Sequence, residues 1–311
     1  MRQVDQVIRE RLASQVVLIN QIANYIIGAG GKRIRPRLVL LFAKALGYPG
    51  SAHYEMAAVV EFIHTATLLH DDVVDESALR RGRPAANTIW GNKPSILVGD
   101  FLFSRSFQLM VETGNLTVLD ILANASAVIA EGEVMQLRST KNLATSEADY
   151  LKIITAKTAA LFAAAAESGA VIAGAPAEVS SAFRAYGHNL GIAFQLVDDS
   201  LDYSGRQAVM GKSVGDDFRE YKVTLPIIFA LAQCGEEERR FWRKTLEVGV
   251  QDEGDLGQAI AFLERGGALA ATMAQARDFA MKARDALRAC PPGPVLDILA
   301  DIADFVVARA Y

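Results

Sequence analysis

The stretch DYLKIITAKTAALFAAAAESGAVIA, residues 149–173, decides the fold class. Its apolar residues recur at spacings of three and four, and alanine dominates it, so it reads as packed α-helix. The same pattern fills 179–203 and 268–289, and no series of alternating strands bounded by turns occurs along the chain. The expectation is an all-α protein of roughly a dozen helices. Helix starts are expected at Pro36, at Ser146 with Asp149 three residues on as a capping pair, and at Pro176. Two irregular stretches stand out, 76–93 (ESALRRGRPAANTIWGNK) and 204–220 (SGRQAVMGKSVGDDFRE); both are polar, glycine-bearing and basic, and each directly follows an acidic cluster.

The chain has 311 residues, of which 51% are hydrophobic and 22% charged, enough to bury a large core. No Pro-, Gly- or Ser-rich linker marks a cut, so residues 1–311 are expected to form one large domain. The net charge of −4 argues against nucleic acid as the partner, and leaves any anion to a local basic cluster. Cys234 and Cys290 are too few for a disulfide framework and lack metal-ligand spacing, which makes a reducing cytoplasm the default expectation. Residues 12–31 carry no charge up to Gly31, but Ser14, Gln15, Asn20, Gln21 and Asn24 interrupt the apolar series Leu12, Val16, Ile19, Ala23 and Ile26. That series is a packed amphipathic helix, so no transmembrane segment is expected. Asp5 and Glu10 stand where the basic leader of a signal peptide would be.

Chemistry concentrates at HDDVVDE, which supplies Asp71, Asp72 and Asp75. At about 100° per residue, Asp71 and Asp75 project one turn apart on one helix face, about 40° from each other. Such a pair could be a solvated surface, or could hold a hard cation such as Mg²⁺ between its carboxylates. The apolar surroundings, Val59, Val60, Phe62, Ile63, Leu68, Leu69, Val73 and Val74, favour the second, because a buried charge needs a partner. LVDDSLDY repeats the geometry with Asp198, Asp199 and Asp202 on another apolar helix. Two such carboxylate combs suggest a shared cavity holding several Mg²⁺ ions whose coordination is completed by water and substrate phosphate, diphosphate being the natural ligand.

Matching basic groups are present. GGKRIRPR, residues 30–37, brings Lys32, Arg33, Arg35 and Arg37 to a glycine turn before a helix, where backbone N–H groups also favour an anion. Arg80, Arg81 and Arg83 follow the first comb, and Lys212 and Lys222 flank the second. Any one of these runs could be solvated surface; together they describe one diphosphate site held through metal and one held directly by basic side chains. Lys157 and Thr158 lie inside the Ala-rich stretch, a costly place for an amine unless it reaches an anion. His64 sits two turns before Asp71 on nearly the same stripe.

In this order GGKRIRP, EFIHTATLLHDDVVDES, LRRGRP, VGDFLFSRSF, EGEVMQL, KTAALF, GIAFQLVDDSLDY and GKSVGDD with its following TLP resemble the trans-prenyltransferases, the all-trans polyprenyl diphosphate synthase family, over essentially the whole chain. The resemblance implies a single large helical bundle of the isoprenoid synthase type around a central apolar cavity. It implies that Lys32, Arg35, His64 and Arg81 bind the diphosphate of isopentenyl diphosphate. Arg80, Lys157, Thr158, Gln195, Lys212 and Lys222 would contact the diphosphate of an allylic substrate, farnesyl or geranylgeranyl diphosphate. Asp71, Asp75, Asp198, Asp199 and Asp202 would hold Mg²⁺, three ions per site, with Asp72 nearby and with Lys157 among the catalytic groups. A homodimer is implied too, as is a cytoplasmic enzyme that meets the membrane only when releasing product, a quinone side chain being the expected destination. Tyr221 departs from the family, which usually has glycine there.

Other readings remain at this point. A helical metal phosphohydrolase could use His64, His70 and Asp71; a terpene cyclase would share one comb; a non-catalytic subunit of the same fold would be expected to have lost a comb. Ala66 and Thr67 stand just before the first comb, where short-chain family members carry a bulky aromatic. Helical spacing points to Thr67 and the resemblance to Ala66 as the chain-length position, and either way a long product, octaprenyl to decaprenyl, is expected.

Overall fold

A computed structural model describes residues 1–204, 214–290 and 292–308. They form sixteen α-helices and one two-residue pair of strands. In chain order these are α1 (Arg2–Leu12), α2 (Val17–Gly28), α3 (Ile34–Ala45), α4 (Ala52–Val74), β1 (Leu79–Arg80), β2 (Arg83–Pro84), α5 (Ala86–Trp90), α6 (Asn92–Glu112), α7 (Leu116–Ser139) and α8 (Glu147–Ile154). A π-helical turn, Thr155–Ala159, leads into α9 (Ala160–Ile172), followed by α10 (Ala177–Asp202), α11 (Asp216–Arg219), α12 (Leu225–Gln233), α13 (Glu236–Trp242), α14 (Asp255–Arg265), α15 (Ala268–Ala286) and α16 (Pro294–Ala308). The all-α expectation holds.

The described residues divide into two compact units, each drawn from three stretches: Met1–Ser126, Leu161–Gly187 and Leu287–Asp297 in the first, and those of Ala127–Ala160, His188–Ala286 and Ile298–Tyr311 in the second. The stretches interleave along the sequence, so no single cut separates the units, which is why composition marks no boundary.

In the first unit α4 is the central element, packed by α1, α3, α5 and above all α6. Every residue from Met56 to Ile63 is buried, so this helix has no solvent face over two turns and cannot show amphipathic periodicity. Phe42 of α3 stacks against Phe183 and Tyr186, with ring centroids 4.1 and 5.4 Å away. The second unit has its own core, in which the ring of Phe241 lies 5.1 Å from both Trp242 and Phe262, edge to face, and Leu246 and Leu263 are wholly buried.

Local signals explain most helix ends. Ser146 Oγ accepts the Asp149 N–H at 3.1 Å and caps α8 as expected. Pro176 directly precedes α10 and its carbonyl accepts the Ser180 N–H. Pro36 does not start α3, which begins two residues earlier at Ile34; proline is harmless there because the first four N–H groups of a helix have no partner within it. Residues 12–31 are not one helix either. Ser14 and Asn20 break it: the Asn20 amide donates to the Ser14 carbonyl at 2.8 Å, its oxygen accepts the Ser14 N–H at 3.1 Å, and Ser14 Oγ accepts the Val16 N–H at 3.1 Å. Leu12 closes α1, Val16 and Val17 are left exposed, and α2 starts afresh. Among the described residues no helix is long and apolar enough to cross a membrane.

Phe62 lies within the fully buried span of α4. Truncating it leaves a cavity that its unit cannot close without breaking the α4 contacts, so Phe62→Ala is expected to cost about 3–5 kcal/mol. The check is the fall in urea midpoint, read by circular dichroism against the wild-type protein.

Candidate active site

In the first unit, α4 presents its polar residues on successive turns. The helix ends at Val74, yet the Asp75 N–H still donates to the Asp71 carbonyl at 2.8 Å, so Asp71 and Asp75 keep the one-turn register expected of them. Both are half-buried. Asp72 is rotated into the interior, wholly buried, where its Oδ1 accepts Nε and Nη2 of Arg80 at 2.8 and 2.5 Å. Burial pushes the Asp72 carboxyl up, with the neighbouring charges of Asp71 and Asp75 adding to this and Arg80 opposing it.

Arg80 reaches Asp72 from a structure that the sequence did not announce. LRRGRP is a hairpin in which Arg80 pairs with Arg83, and the two residues between them, Arg81 and Gly82, both have positive φ, 54° and 74°. That is the mirror-type turn whose twist matches antiparallel strands. It separates Arg80, bound to Asp72, from Arg81 at the tip.

The glycine turn before α3 holds the other basic residues. Lys32 is exposed and Arg35 half-buried. Arg35 Nη1 lies 3.2 Å from His64 Nε2, and its guanidinium carbon is 4.4 Å over the Phe162 ring. Arginine can only donate, so this His64 nitrogen accepts and the proton of the neutral ring is on Nδ1. Burial, and then the charges of Arg35, Arg81 and Arg80, hold His64 well below its usual pKa, which agrees with a neutral acceptor. Ala66 is buried and Thr67 half-buried, its hydroxyl donating to the His64 carbonyl at 2.8 Å.

In the second unit the π-helical turn places Lys157 and Thr158. A turn of this kind inserts one residue into the helix and re-aims the side chains it carries. It bulges towards Gly132 of α7, where a Cβ would stand 2.8 Å from the Lys157 nitrogen, so only glycine fits there. Lys157 Nζ is 2.7 Å from Glu133 Oε2, the residue next to that glycine. Thr158 Oγ1 donates to Gln195 Oε1 at 2.9 Å, Gln195 Nε2 to Asp199 Oδ1 at 2.6 Å, and Tyr150 Oη to Asp199 Oδ2 at 2.5 Å. Asp199 is buried, and burial together with the charge of Asp217 pushes its carboxyl up to about 8 against the pull of those two donors.

Asp202, also buried, accepts the N–H groups of Asp216 and Asp217 at 3.2 and 3.0 Å and so ties the end of α10 to α11. Asp198 is the half-buried carboxylate of this comb. Lys222 Nζ lies 2.5 Å from Glu220, and Lys212 falls outside the described residues. Tyr221 has φ 58°, a left-handed conformation that glycine, the residue the resemblance implies at this position, would adopt without strain. The tyrosine is held in it by Lys141, whose N–H donates to the Tyr221 carbonyl at 3.1 Å and whose Nζ sits 4.3 Å over the ring.

The structure therefore brings together Arg35 with His64, Arg80 with Asp72, and Thr158, Gln195 and Asp199 in one chain of hydrogen bonds. Sequence reading did not single out Glu133 and Tyr150, which bond Lys157 and Asp199; EGEVMQL contains the first but nothing in its spacing names the partner. Among the described residues no group of three or more His, Cys, Asp or Glu side chains is arranged as a metal centre. An all-oxygen, strongly anionic donor set one turn apart is nonetheless the chemistry that suits Mg²⁺, which takes one or two carboxylates and completes its shell with water and phosphate.

The chain matches the family model described as Polyprenyl synthetase over residues 16–263. It is 44% identical over 306 residues to octaprenyl diphosphate synthase of Escherichia coli (strain K12), covering 98% of this chain and 94% of that protein. The crystal structure of a decaprenyl diphosphate synthase from Rhodobacter capsulatus superposes with a TM-score of 0.95 at 54% identity, covering all of this chain and 96% of that one. A polyprenyl synthase from Caulobacter crescentus CB15, complexed with calcium and isoprenyl diphosphate, gives 0.97 at 51% identity over 99% and 94% of the two chains. A match of this extent, on a fold and a set of charged residues of this kind, leaves one conclusion: the chain belongs to the polyprenyl synthetase family.

Proposed function

We propose that the protein condenses isopentenyl diphosphate repeatedly with an allylic diphosphate, farnesyl or geranylgeranyl, to make an all-trans polyprenyl diphosphate of octaprenyl to decaprenyl length. The observation that carries the reading is the division of labour on α4, where Asp71 and Asp75 share one face while Asp72 turns inward to fix Arg80. The long product is supported by similarity to octaprenyl and decaprenyl synthases. We take the protein to act as a homodimer in the cytoplasm whose product passes to a membrane, with a quinone side chain as its destination.

Lys32, Arg35, Arg81 and the Nδ1–H of His64 bind the diphosphate of isopentenyl diphosphate. Lys157, Thr158, Gln195, Arg80, Lys222 and Lys212 receive the allylic diphosphate, and Lys157 must exchange its bond to Glu133 for one to phosphate. Asp71, Asp75, Asp198, Asp199 and Asp202 would hold the Mg²⁺ ions, three per site, Asp199 and Asp202 being held ready by Gln195, Tyr150 and the N–H groups of Asp216 and Asp217. When bound, Mg²⁺ stabilises the negative charge that develops on the departing diphosphate. The allylic C–O bond then ionises, the isopentenyl double bond attacks the cation, and a proton leaves to the released diphosphate. The protein supplies position, positive charge and exclusion of water, and no side-chain nucleophile is needed.

Asp71→Ala or Asp198→Ala is expected to lower kcat about 10²- to 10³-fold, the loss that follows removal of one group stabilising transition-state charge. The assay is Mg²⁺-dependent incorporation of labelled isopentenyl diphosphate into extractable lipid, with circular dichroism confirming the fold. Near-wild-type turnover in either folded variant would overturn the two-comb reading.

Product length tests the residues before the first comb. Thr67 is half-buried, whereas Ala66 is 1% exposed, so an aromatic at 66 displaces packed neighbours at a cost of about 1–3 kcal/mol as well as blocking the tail. Both Ala66→Phe and Thr67→Phe are expected to stop at products near geranylgeranyl length, with Ala66→Phe the less stable. Full-length product from both variants, in stable and active form, would refute this assignment of the tail's path.

A further inference from the structure

Glu61 is a carboxylate in the most apolar part of the first unit. It is 5% exposed, within the span Met56–Ile63 where every residue of α4 is buried. A charge so placed needs compensation, because burial costs it several kcal/mol of hydration. The compensation comes from the two basic loops. Its Oε1 lies 3.6 Å from Arg33 Nε, and its Oε2 has no hydrogen-bond partner among the described residues. Arg33 is the left-handed residue, φ 46°, that joins the glycine turn to α3, and its guanidinium also binds the carboxylate of Asp5 and the carbonyl of Ile27. Arg81, at the tip of the hairpin, lays its guanidinium against Gly31 of the same turn; a Cβ there would stand 2.8 Å from three of its atoms. Burial pushes the Glu61 carboxyl up, and the charges of Arg33, Arg81 and Arg35, in that order, pull it down. Arg81 in turn finds in Glu61 its leading electrostatic attraction.

The arrangement is paradoxical for an anion site, because a fixed negative charge opposes the ligand. It makes sense if the charge organises the cations that touch the ligand. Lys32, Arg33, Arg35 and Arg81 are gathered from the glycine turn, the first turn of α3 and the hairpin tip, and repel one another until a diphosphate arrives. One turn along α4 from Glu61, His64 bonds Arg35. We propose that Glu61 is a positioning residue for isopentenyl diphosphate: it does not touch substrate, and through Arg33 and the Arg81–Gly31 contact it sets the spacing between the glycine turn and the hairpin tip. Arg33 is then a cross-link and not a phosphate ligand. This rests on the reading that Lys32, Arg35, His64 and Arg81 bind isopentenyl diphosphate.

The test is Glu61→Gln, which keeps the volume and removes the charge. Its KM for isopentenyl diphosphate should rise about 10- to 100-fold, the range expected when a hydrogen-bonded charged group is displaced, while kcat and the KM for farnesyl diphosphate stay within about threefold. Glu61→Asp keeps the charge and withdraws it by one methylene; a smaller rise, again confined to isopentenyl diphosphate, is expected, and this variant decides the matter if Glu61→Gln does not fold. A wild-type KM for isopentenyl diphosphate in the folded variant overturns the proposal. So does a parallel loss of both KM values and kcat, which is what a general packing role would give. Wild-type protein assayed alongside separates the two readings: if it makes no prenyl product, the function itself is wrong, and if it does while the variants match it, only the role of Glu61 falls.

Discussion

The whole arrangement depends on one constraint: a carboxylate inside an apolar helix must be answered by a cation or a donor. Helix α4 places two there, Glu61 and Asp72, and each is answered from a loop, Arg33 at the glycine turn and Arg80 on the hairpin. These ion pairs are weak contributors to net stability, since desolvation consumes most of the Coulomb gain. Their value is geometric. They bring two irregular segments to fixed places along one helix; those segments carry Lys32 and Arg81, and the first leads directly into Arg35 of α3. The second unit answers the same demand with neutral donors: Tyr150 and Gln195 for Asp199, and backbone N–H groups for Asp202.

The two combs share a sequence pattern but are used differently. In the first, helix rotation alone puts the middle aspartate inward and leaves the outer two on one face. In the second, Asp202 ends the helix and closes onto α11, so Asp198 and Asp202 are no longer equivalent to Asp71 and Asp75. Repetition of a motif gives both helices the same carboxylates; the chain that follows each motif decides which oxygens remain presented.

What could be read in advance follows from range. The helical class is a property of spacings of three and four residues, and the cap of α8 lies within four residues, so both were legible. The break after Leu12 is not legible because Ser14 and Asn20 look tolerable in a helix until the Asn20 amide is seen bonding the Ser14 backbone and the Ser14 hydroxyl the backbone of Val16. The hairpin at LRRGRP gave little warning, since arginine is a poor indicator of positive φ. Glu61, Glu133 and Tyr150 were invisible for a different reason: their partners stand 28, 24 and 49 residues away, and no local pattern encodes a contact of that length. Family resemblance implies which groups would meet substrate, and is silent on Glu61, Glu133 and Tyr150, which bond their neighbours.

The π-helical turn at 155–159 and the glycine it faces carry a consequence for how this sequence can change. The turn takes up one residue more than a regular α-helix would hold there, so deleting any one residue of the five would let the ladder close and withdraw the bulge that carries Lys157. Lys157 would leave Glu133, yet the alanine-rich composition would still look entirely helical. At Gly132 the opposite holds, because even a methyl group meets the bulge. A side chain at 132 therefore becomes admissible once the bulge is withdrawn, so change at the glycine is tied to prior change in the turn it faces.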